Sequence, residues 1–272
     1  MRHYRFDYPF DPSIATEETM FKRLLDSNAL DDTYTLCVIP LAHIINTLGV
    51  GEAQKEIDKV KAKGKKLFVC QHILVNQLKF DADSIVCTPH ASLNGSYISI
   101  PHFPVNIDTS ILREKRTRLF SFMGSTQTHE IRRGLTVLYP NNCFDSGALW
   151  ALDPSLKNKD ELRKNYIELL ADSDFSLCPR GTGISSVRLF ESMAMGAIPV
   201  IIADGYQPPL PKIIDWSKVS IRVKSNQISK IGSMLQESFG EDKIQKMREL
   251  VMSTYNEFLS PENFEKSIIL SL

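Results

Sequence analysis

The sequence has no long apolar run and no excess of charge of either sign. None of its apolar stretches approaches the roughly 18 uninterrupted residues of a membrane-spanning helix, and the N-terminus lacks the apolar core of a secretory signal. The 32 Lys and Arg balance the 32 Asp and Glu, so no overall electrostatic field would attract nucleic acid or a membrane surface. We therefore expect a cytoplasmic protein with no transmembrane anchor and no nucleic-acid partner.

Cysteine is too sparse and too scattered for a disulfide framework. The chain has five cysteines, and none forms a C-x-x-C motif. Cys70 and Cys178 each follow an apolar run, which is typical of buried free thiols in a reducing compartment. The histidines also lack the close spacing of a zinc site, and the sequence predicts no bound metal.

Short apolar runs alternate with amphipathic segments along both halves of the 272 residues. Runs such as Tyr34–Leu41 and Ile198–Ile202 predict strands, and this β-α-β order is typical of open parallel sheets. The charged stretch Arg113–Arg118 separates the halves, so we predict two domains, 1–111 and 112–272. The expected fold is α/β, with two Rossmann-like domains facing a cleft and ligands bound beyond the carboxyl ends of the strands.

The densest chemical signal follows a predicted strand at Phe175–Cys178. A tight loop leads into a helix predicted over Ser185–Met195, and Gly181 and Gly183 would let the backbone approach a ligand closely. The amides of residues 184–186 would be the unpaired donors of that helix. This arrangement predicts an anion site.

Polar side chains of the same segment suit a nucleoside diphosphate. Ser185 and Ser186 add hydroxyl groups or cap the helix, and the planar fork of Arg180 can grip a diphosphate. Glu191 precedes an apolar run, where an unpaired carboxylate is costly. A pair of ribose hydroxyls would satisfy it, and an ion pair with Arg188 is the structural alternative.

The glycines of this loop also allow a dinucleotide-binding interpretation. Gly181 and Gly183 open a predicted helix, and Asp204 follows a later strand at a suitable distance. Ser186 occupies the third glycine position, and Arg180 precedes the first glycine, which departs from the fingerprint. An NAD(P)-dependent oxidoreductase is therefore kept as the lesser alternative.

Several ordered motifs run through both halves of the chain. In the second half they are Phe120–Gly124, Ile131–Gly134, Leu177–Gly181, Ser186–Glu191, Gly196–Ile202 and Ile213–Trp216. In the first half the pattern is looser and consists of Leu36–Pro40, Phe68–His72 and Ile98–Pro101. Together these motifs resemble those of the exostosin-like glycosyltransferases, in particular compact members from microbes and large algal viruses.

The resemblance implies an inverting, GT-B type hexosyl- or pentosyltransferase that needs no further cofactor. The donor would be a nucleoside-diphosphate sugar, expected to be a UDP-sugar with UDP-xylose as one candidate, and the acceptor a hydroxyl of a glycan. If the source is viral, the location would be the host cytoplasm. A non-catalytic module that binds nucleotide sugars stays open as an alternative.

The expected donor site lies entirely in the second half of the chain. Arginines and helix amides there would stabilise the charge that develops on the leaving diphosphate, without a metal. The residues are Gly124, Arg132, Arg133, Arg180, Gly181, Gly183, Ser185, Ser186, Arg188 and Glu191.

A catalytic base is expected from the first half, because the donor occupies the second. His72 is the first choice, since it follows the predicted strand Lys66–Cys70 and should emerge at a carboxyl end. The resemblance supports this position, although Ile73 stands where relatives often carry an acid. Asp81 and Asp83 are the reserves. They form a D-x-D sequence that is interpreted as surface or acceptor side rather than as a metal site.

Overall fold

The computed structural model describes residues 2–5, 15–102, 107–147 and 158–272. The chain forms two compact units. The first consists of Met1–Phe103, Gly205–Pro211 and Glu262–Leu272, and the second of Pro104–Asp204 and Lys212–Pro261. These units are sets of mutually contacting residues, and the functional domain ranges 1–111 and 112–272 stay a prediction.

The first unit is built on a parallel sheet whose strand order follows the chain, β1-β2-β3-β4-β5. Its strands are β1 (Arg2–Arg5), β2 (Tyr34–Val38), β3 (Lys65–Val69), β4 (Ser84–Thr88) and β5 (Ile98–Ser99), and its first helices are α1 (Ala15–Asp26), α2 (Leu41–Leu48) and α3 (Val50–Asp58). Among these described strands the order never reverses, so this sheet has no switch in winding direction.

Two apolar cores cover the two faces of the first sheet. Leu67 and Val69 of β3 belong to one core, together with Met20 and Leu24 of α1. Phe68, between them, belongs to the other core, which α2 and α3 complete. This alternation has the period of two that a strand buried on both faces requires.

The second unit holds a parallel sheet of order β10-β9-β8-β6-β7. Its elements are β6 (Arg118–Gly124), α4 (Glu130–Leu138), β7 (Cys143–Asp145), α5 (Lys159–Ala171), β8 (Ser173–Pro179), α6 (Arg188–Ala194), β9 (Ile198–Ile202), α7 (Trp216–Val219), β10 (Ile221–Arg222), α8 (Ile231–Ser238) and α9 (Glu241–Thr254). The last helix, α10 (Phe264–Ile269), belongs to the first unit. The chain passes from β6 to β7 on one side and then to β8 on the other, so its winding direction reverses between β6 and β8.

The two parallel sheets confirm the predicted α/β class and are in line with a GT-B type. All five cysteines are buried and free, as predicted. Among the residues described, no helix combines the length and apolarity needed to cross a bilayer.

The sequence-based elements differ from the structure near Pro40. The predicted strand through Leu41 ends at Val38, because Pro40 caps α2 and Leu41 is its first residue. Proline suits the start of a helix, since it has no N–H to leave unpaired there. The sequence analysis also did not predict β1 or the three-residue strand β7, whose sequences carry little apolar alternation.

Candidate active site

Part of the expected donor site lies at the carboxyl ends of β6 and β8. Gly124 is the last residue of β6, and Pro179 is the last residue of β8. Arg132 projects from α4, and Arg188 is the first residue of α6. Because the winding reverses between these two strands, their carboxyl ends are where such a sheet binds a ligand.

Arg132 connects the ends of these two strands. Its Nε and Nη2 donate to the carbonyl oxygens of Arg180 and Pro179 at 3.0 and 3.2 Å. Its Nη1 donates to the carbonyl oxygen of Ser125 at 3.4 Å, just after β6. The guanidinium carbon lies 5.8 Å from the ring centre of Phe122. Arg132 is therefore fixed in one position at the edge of the sheet.

Arg188 is buried between two aromatic rings. Its guanidinium carbon lies 4.6 Å from the ring centre of Phe122 and 5.4 Å from that of Tyr166, and Nη2 donates to the carbonyl oxygen of Met123. Its buried Nε has no hydrogen-bond partner in the described structure. Burial, followed by the charge of Arg188, lowers the pKa of Arg132 to about 9. Two close, poorly solvated cations favour an anion as neighbour.

Two glycines leave room for these guanidinium groups. A Cβ atom on Gly124 would lie 2.7 Å from Nη2 of Arg188, and one on Gly181 would lie 2.9 Å from Nη2 of Arg132. Such short Cβ contacts are essentially never seen, so a larger residue would displace an arginine. Glycine is required here by the approach of the protein's own arginines, whereas the sequence analysis considered only the approach of a ligand.

Glu191 is bound by Tyr166 and does not pair with Arg188. The hydroxyl of Tyr166 donates to Oε2 of Glu191 at 2.5 Å, and both side chains are buried. Burial raises the pKa of Glu191, while the Tyr166 hydrogen bond and the charges of Arg188 and Arg163 lower it. Its Oε1 accepts no hydrogen bond in the described structure, so Glu191 retains capacity for another donor.

The loop between β8 and α6 is longer than expected. Helix α6 begins at Arg188, so the prediction that a helix begins at Ser185 is wrong, and residues 184–186 lie in the loop. The amides of Leu189 and Phe190 donate to the carbonyl oxygens of Ser186 and Val187 at 3.1 and 3.0 Å. These bonds satisfy the first turn internally. Serine favours such non-helical backbone, because its hydroxyl competes for backbone partners.

The other expected donor residues divide between this loop and the surface. The Nε and Nη2 of Arg180 donate to the carbonyl oxygens of Gly181 and Thr182, each at 3.4 Å, so its side chain lies along its own loop. Arg133 is exposed on α4. Of the two neighbouring arginines of α4, only Arg132 therefore reaches the strand ends. Three further residues lie in the loop. Ser185 is buried there, and Gly183 and Ser186 are half-buried.

In the first unit, His72 follows the carboxyl end of β3, as expected. Its Nδ1 accepts a hydrogen bond from the amide of Leu74 at 3.1 Å, and its Nε2 lies 3.0 Å from Oδ1 of Asn46. Because Nδ1 accepts, the ring proton is on Nε2, which donates to Asn46. Burial lowers the pKa of His72. Both ring nitrogens are thus engaged within the protein.

Asp81 and Asp83 lie at the opposite edge of the first sheet. Asp83 directly precedes β4 and Asp81 lies two residues earlier, so both are at its amino end, and both are exposed. Asp81 pairs with Lys66 and accepts a hydrogen bond from the Ser84 hydroxyl at 2.7 Å. Parallel sheets bind ligands at their carboxyl ends, so this edge is poorly placed for catalysis.

A buried acid that the sequence analysis did not identify lies at the carboxyl edge of the first sheet. Glu17 of α1 is inaccessible to solvent, and its two oxygens accept the amides of Ala42 and Gln71 at 3.2 and 3.0 Å. The carbonyl oxygen of Gln71 in turn lies 3.2 Å from Nε2 of His90. Burial raises the pKa of Glu17 to about 8 and lowers that of His90 to about 4.

The sequence pattern of the exostosin GT47 domain matches residues 42–238. The chain belongs to the exostosin-like glycosyltransferase family. Two curated relatives show how far the similarity extends. The exostosin-1 homolog of Caenorhabditis elegans is 29% identical over 134 residues, which are 48% of this chain and 35% of the relative. A probable glucuronoxylan glucuronosyltransferase of Arabidopsis thaliana is 42% identical over 71 residues, 26% of this chain and 16% of the relative.

These alignments span about a third or less of the relatives' own lengths. Among solved structures, the alignment with TarM covers 92% of this family member and 57% of the TarM chain, with a TM-score of 0.43 and 12% identity. The pneumococcal O-GlcNAc transferase GtfA, solved with UDP and GlcNAc, covers 92% and 58%, with a TM-score of 0.41 and 13% identity. Neither similarity is high enough to argue from.

In this exostosin family member, the matched range contains every expected donor residue and also His72 and His90. Glu17 lies outside it.

Tyr166 and Phe122 are site neighbours that the sequence analysis did not select. A signal existed for Tyr166, since a phenol on the apolar side of a helix needs a hydrogen-bond partner once it is buried.

Proposed function

We propose that this exostosin family member is an inverting glycosyltransferase that uses a nucleoside-diphosphate sugar. The supporting observation is the group formed by Arg132, Arg188 and Glu191 at the point where the second sheet reverses. Two poorly solvated guanidinium groups suit a diphosphate. The open oxygen of Glu191 suits a ribose hydroxyl. The donor is a UDP-sugar in this proposal, with UDP-xylose as one candidate, and the acceptor is a glycan hydroxyl.

In the proposed reaction, the acceptor hydroxyl attacks the anomeric carbon opposite the diphosphate. The bond between that carbon and the diphosphate oxygen breaks, and its electron pair leaves with the diphosphate. Arg132, Arg188 and Arg180 would stabilise the growing negative charge because they are already held in place. The proton of the acceptor passes to a base. On this proposal a chelator leaves most of the activity intact, and complete loss restored by Mn²⁺ would contradict it.

We assign the base to the first unit, with His72 as the first candidate. His72 would have to release the amide of Leu74 before its Nδ1 could take a proton. His90 is the second candidate. It follows β4, and donation from its Nε2 to the carbonyl oxygen of Gln71 makes Nδ1 the basic atom of that tautomer. Asp81 and Asp83 come after both, because they lie at the amino ends of the strands.

The donor site is tested by titration calorimetry with uridine or guanosine diphosphate, using whichever the wild-type chain binds more tightly. Arg132→Met and Glu191→Gln should each weaken binding about 10- to 150-fold, because each removes a charged hydrogen bond worth roughly 1.5–3 kcal/mol. Arg133→Met is the matched control and should bind normally. Unchanged affinity in both site variants, with unfolding curves like the wild type, would refute this donor site.

Turnover separates the enzyme from a module that only binds nucleotide sugars. Such a module would lose affinity in the same variants but show neither transfer nor donor hydrolysis with a panel of sugar nucleotides. The oxidoreductase alternative predicts tight NAD(P) binding. In the structure, the backbone amide of Ser225 donates to both carboxylate oxygens of Asp204 at 3.3 Å. Asp204, the acid of the dinucleotide-binding interpretation, is therefore already hydrogen-bonded to backbone.

A further inference from the structure

Tyr166 has its hydroxyl group inside the candidate donor site. It lies in α5, its side chain is 1% exposed, and its hydroxyl donates to Oε2 of Glu191 at 2.5 Å. The same ring lies 5.4 Å from the guanidinium carbon of Arg188. One aromatic residue of α5 therefore contacts both the acid and one of the arginines of the site.

We propose that Tyr166 is a positioning residue of the donor site, and that it leaves Glu191 to bind a ligand hydroxyl through Oε1 alone. This inference rests on the proposed function. A carboxylate holds two ribose hydroxyls side by side by accepting one on each oxygen. Here Oε2 is directed to α5 by Tyr166. One of the two ribose hydroxyls should therefore contribute most of the affinity that depends on Glu191.

The surroundings of Glu191 indicate how Tyr166 acts on it. Its charged and titratable neighbours are Arg188 on its own helix, Arg163 and Tyr166 on α5, and Cys178 on β8. Burial raises the pKa of the Cys178 thiol to about 11, so it is neutral. None of these neighbours comes from β9, from α9 or from the turn Tyr255–Leu259, against which α6 also packs.

Loss of the hydroxyl should therefore change a pH profile as well as an affinity. Burial raises the pKa of Glu191, and the hydrogen bond from Tyr166 opposes that effect. In Tyr166→Phe the pKa of Glu191 should rise further. A protonated carboxyl group is a weaker acceptor than an ionised one, so the loss of ligand binding on acidification should begin at a higher pH than in the wild type.

The test is calorimetry with the chosen nucleoside diphosphate between about pH 5 and pH 8. Tyr166→Phe should weaken binding about tenfold near neutral pH. It should also raise the pH at which binding is lost on acidification, which is the acid limb of the profile. Tyr139→Phe is the matched control, because this phenol of the same unit donates to the carbonyl oxygen of Ile228 at 2.8 Å. It should change neither quantity. If Glu191→Gln weakens binding while Tyr166→Phe leaves affinity and acid limb unchanged, the positioning role is wrong and the donor site stands.

A second measurement uses only the wild-type chain and does not depend on the folding of a variant. The 2′-deoxy and 3′-deoxy forms of the same nucleotide should differ, with a large loss of affinity for one and a small loss for the other. Equal large losses would contradict binding through one oxygen. If Glu191→Gln binds like the wild type, or if the wild type binds neither nucleotide, the donor site of the proposed function fails, and this inference fails with it.

Discussion

Gly124 lies so close to Arg188 that one added methyl group should disturb the donor site. In Gly124→Ala the new Cβ would lie 2.7 Å from Nη2 of Arg188 and 3.3 Å from the ring of Phe122, whereas ordinary contact begins at 3.4 Å. The guanidinium group would have to move by about 0.7 Å to lengthen the 2.7 Å contact to 3.4 Å. Arg188 is 8% exposed and lies between Phe122 and Tyr166, so it has little freedom to do so.

Two costs follow from this displacement. Added volume in a well-packed region typically lowers the free energy of unfolding by about 1–3 kcal/mol. A displaced Arg188 would also leave the position from which it can hydrogen-bond a diphosphate. A charged hydrogen bond is worth roughly 1.5–3 kcal/mol, so nucleoside diphosphate affinity should fall about 10- to 150-fold.

Calorimetry measures the affinity, and urea unfolding measures the stability of the same samples. Gly240→Ala is the matched control in the same unit, because nothing lies within 4 Å of its added Cβ and its φ of −82° suits alanine. Because Gly240 is the N-cap of α9, this variant is a control for nucleotide affinity, which should stay unchanged. Normal nucleotide affinity in a folded Gly124→Ala protein would refute the role given to Arg188.

Three further predictions concern stability and the base. Burial raises the pKa of Glu17 from 4.5 to about 8, so the folded chain holds an extra proton between these values. Its unfolding free energy should therefore fall as pH rises through them, and Glu17→Gln should remove that slope in urea unfolding. Arg116 donates to the carbonyl oxygens of Leu170 and Met195, so Arg116→Met should cost about 1–3 kcal/mol of stability without changing nucleotide affinity, as calorimetry would show. If His72 is the base, steady-state kinetics of His72→Ala should show a kcat about 10²–10⁴-fold lower at unchanged donor affinity, and near-normal turnover would move the role to His90.

The sequence predicted best the elements with a strong local pattern. The strand Ile198–Ile202 has the predicted bounds, because five consecutive buried apolar residues cannot be a surface helix or a loop. The helix beginning at Glu130 was also expected. Elements without such a pattern were missed. Strand β1 carries arginine at both ends, and it is recognisable only from its pairing with β2.

Glu17 shows a signal that was present but not used. It lies three residues before Met20 and seven before Leu24, on the face by which α1 packs against the first sheet. An acid on such a face is buried and needs donors. Which donors it finds could not be derived from α1, because the amides of Ala42 and Gln71 lie 25 and 54 residues away along the chain.

The sequence by itself determined the two parallel α/β units and the family motifs, because strand and helix periodicity and short motifs are local properties of a chain. Only the tertiary structure decided which arginine of α4 reaches the strand ends and that Glu191 is bound by Tyr166. It also decided that Gly124 and Gly181 accommodate the protein's own guanidinium groups. These contacts join separate elements around the reversal between β6 and β8. Strand order of this kind results from the packing of the whole unit, and no local pattern encodes it.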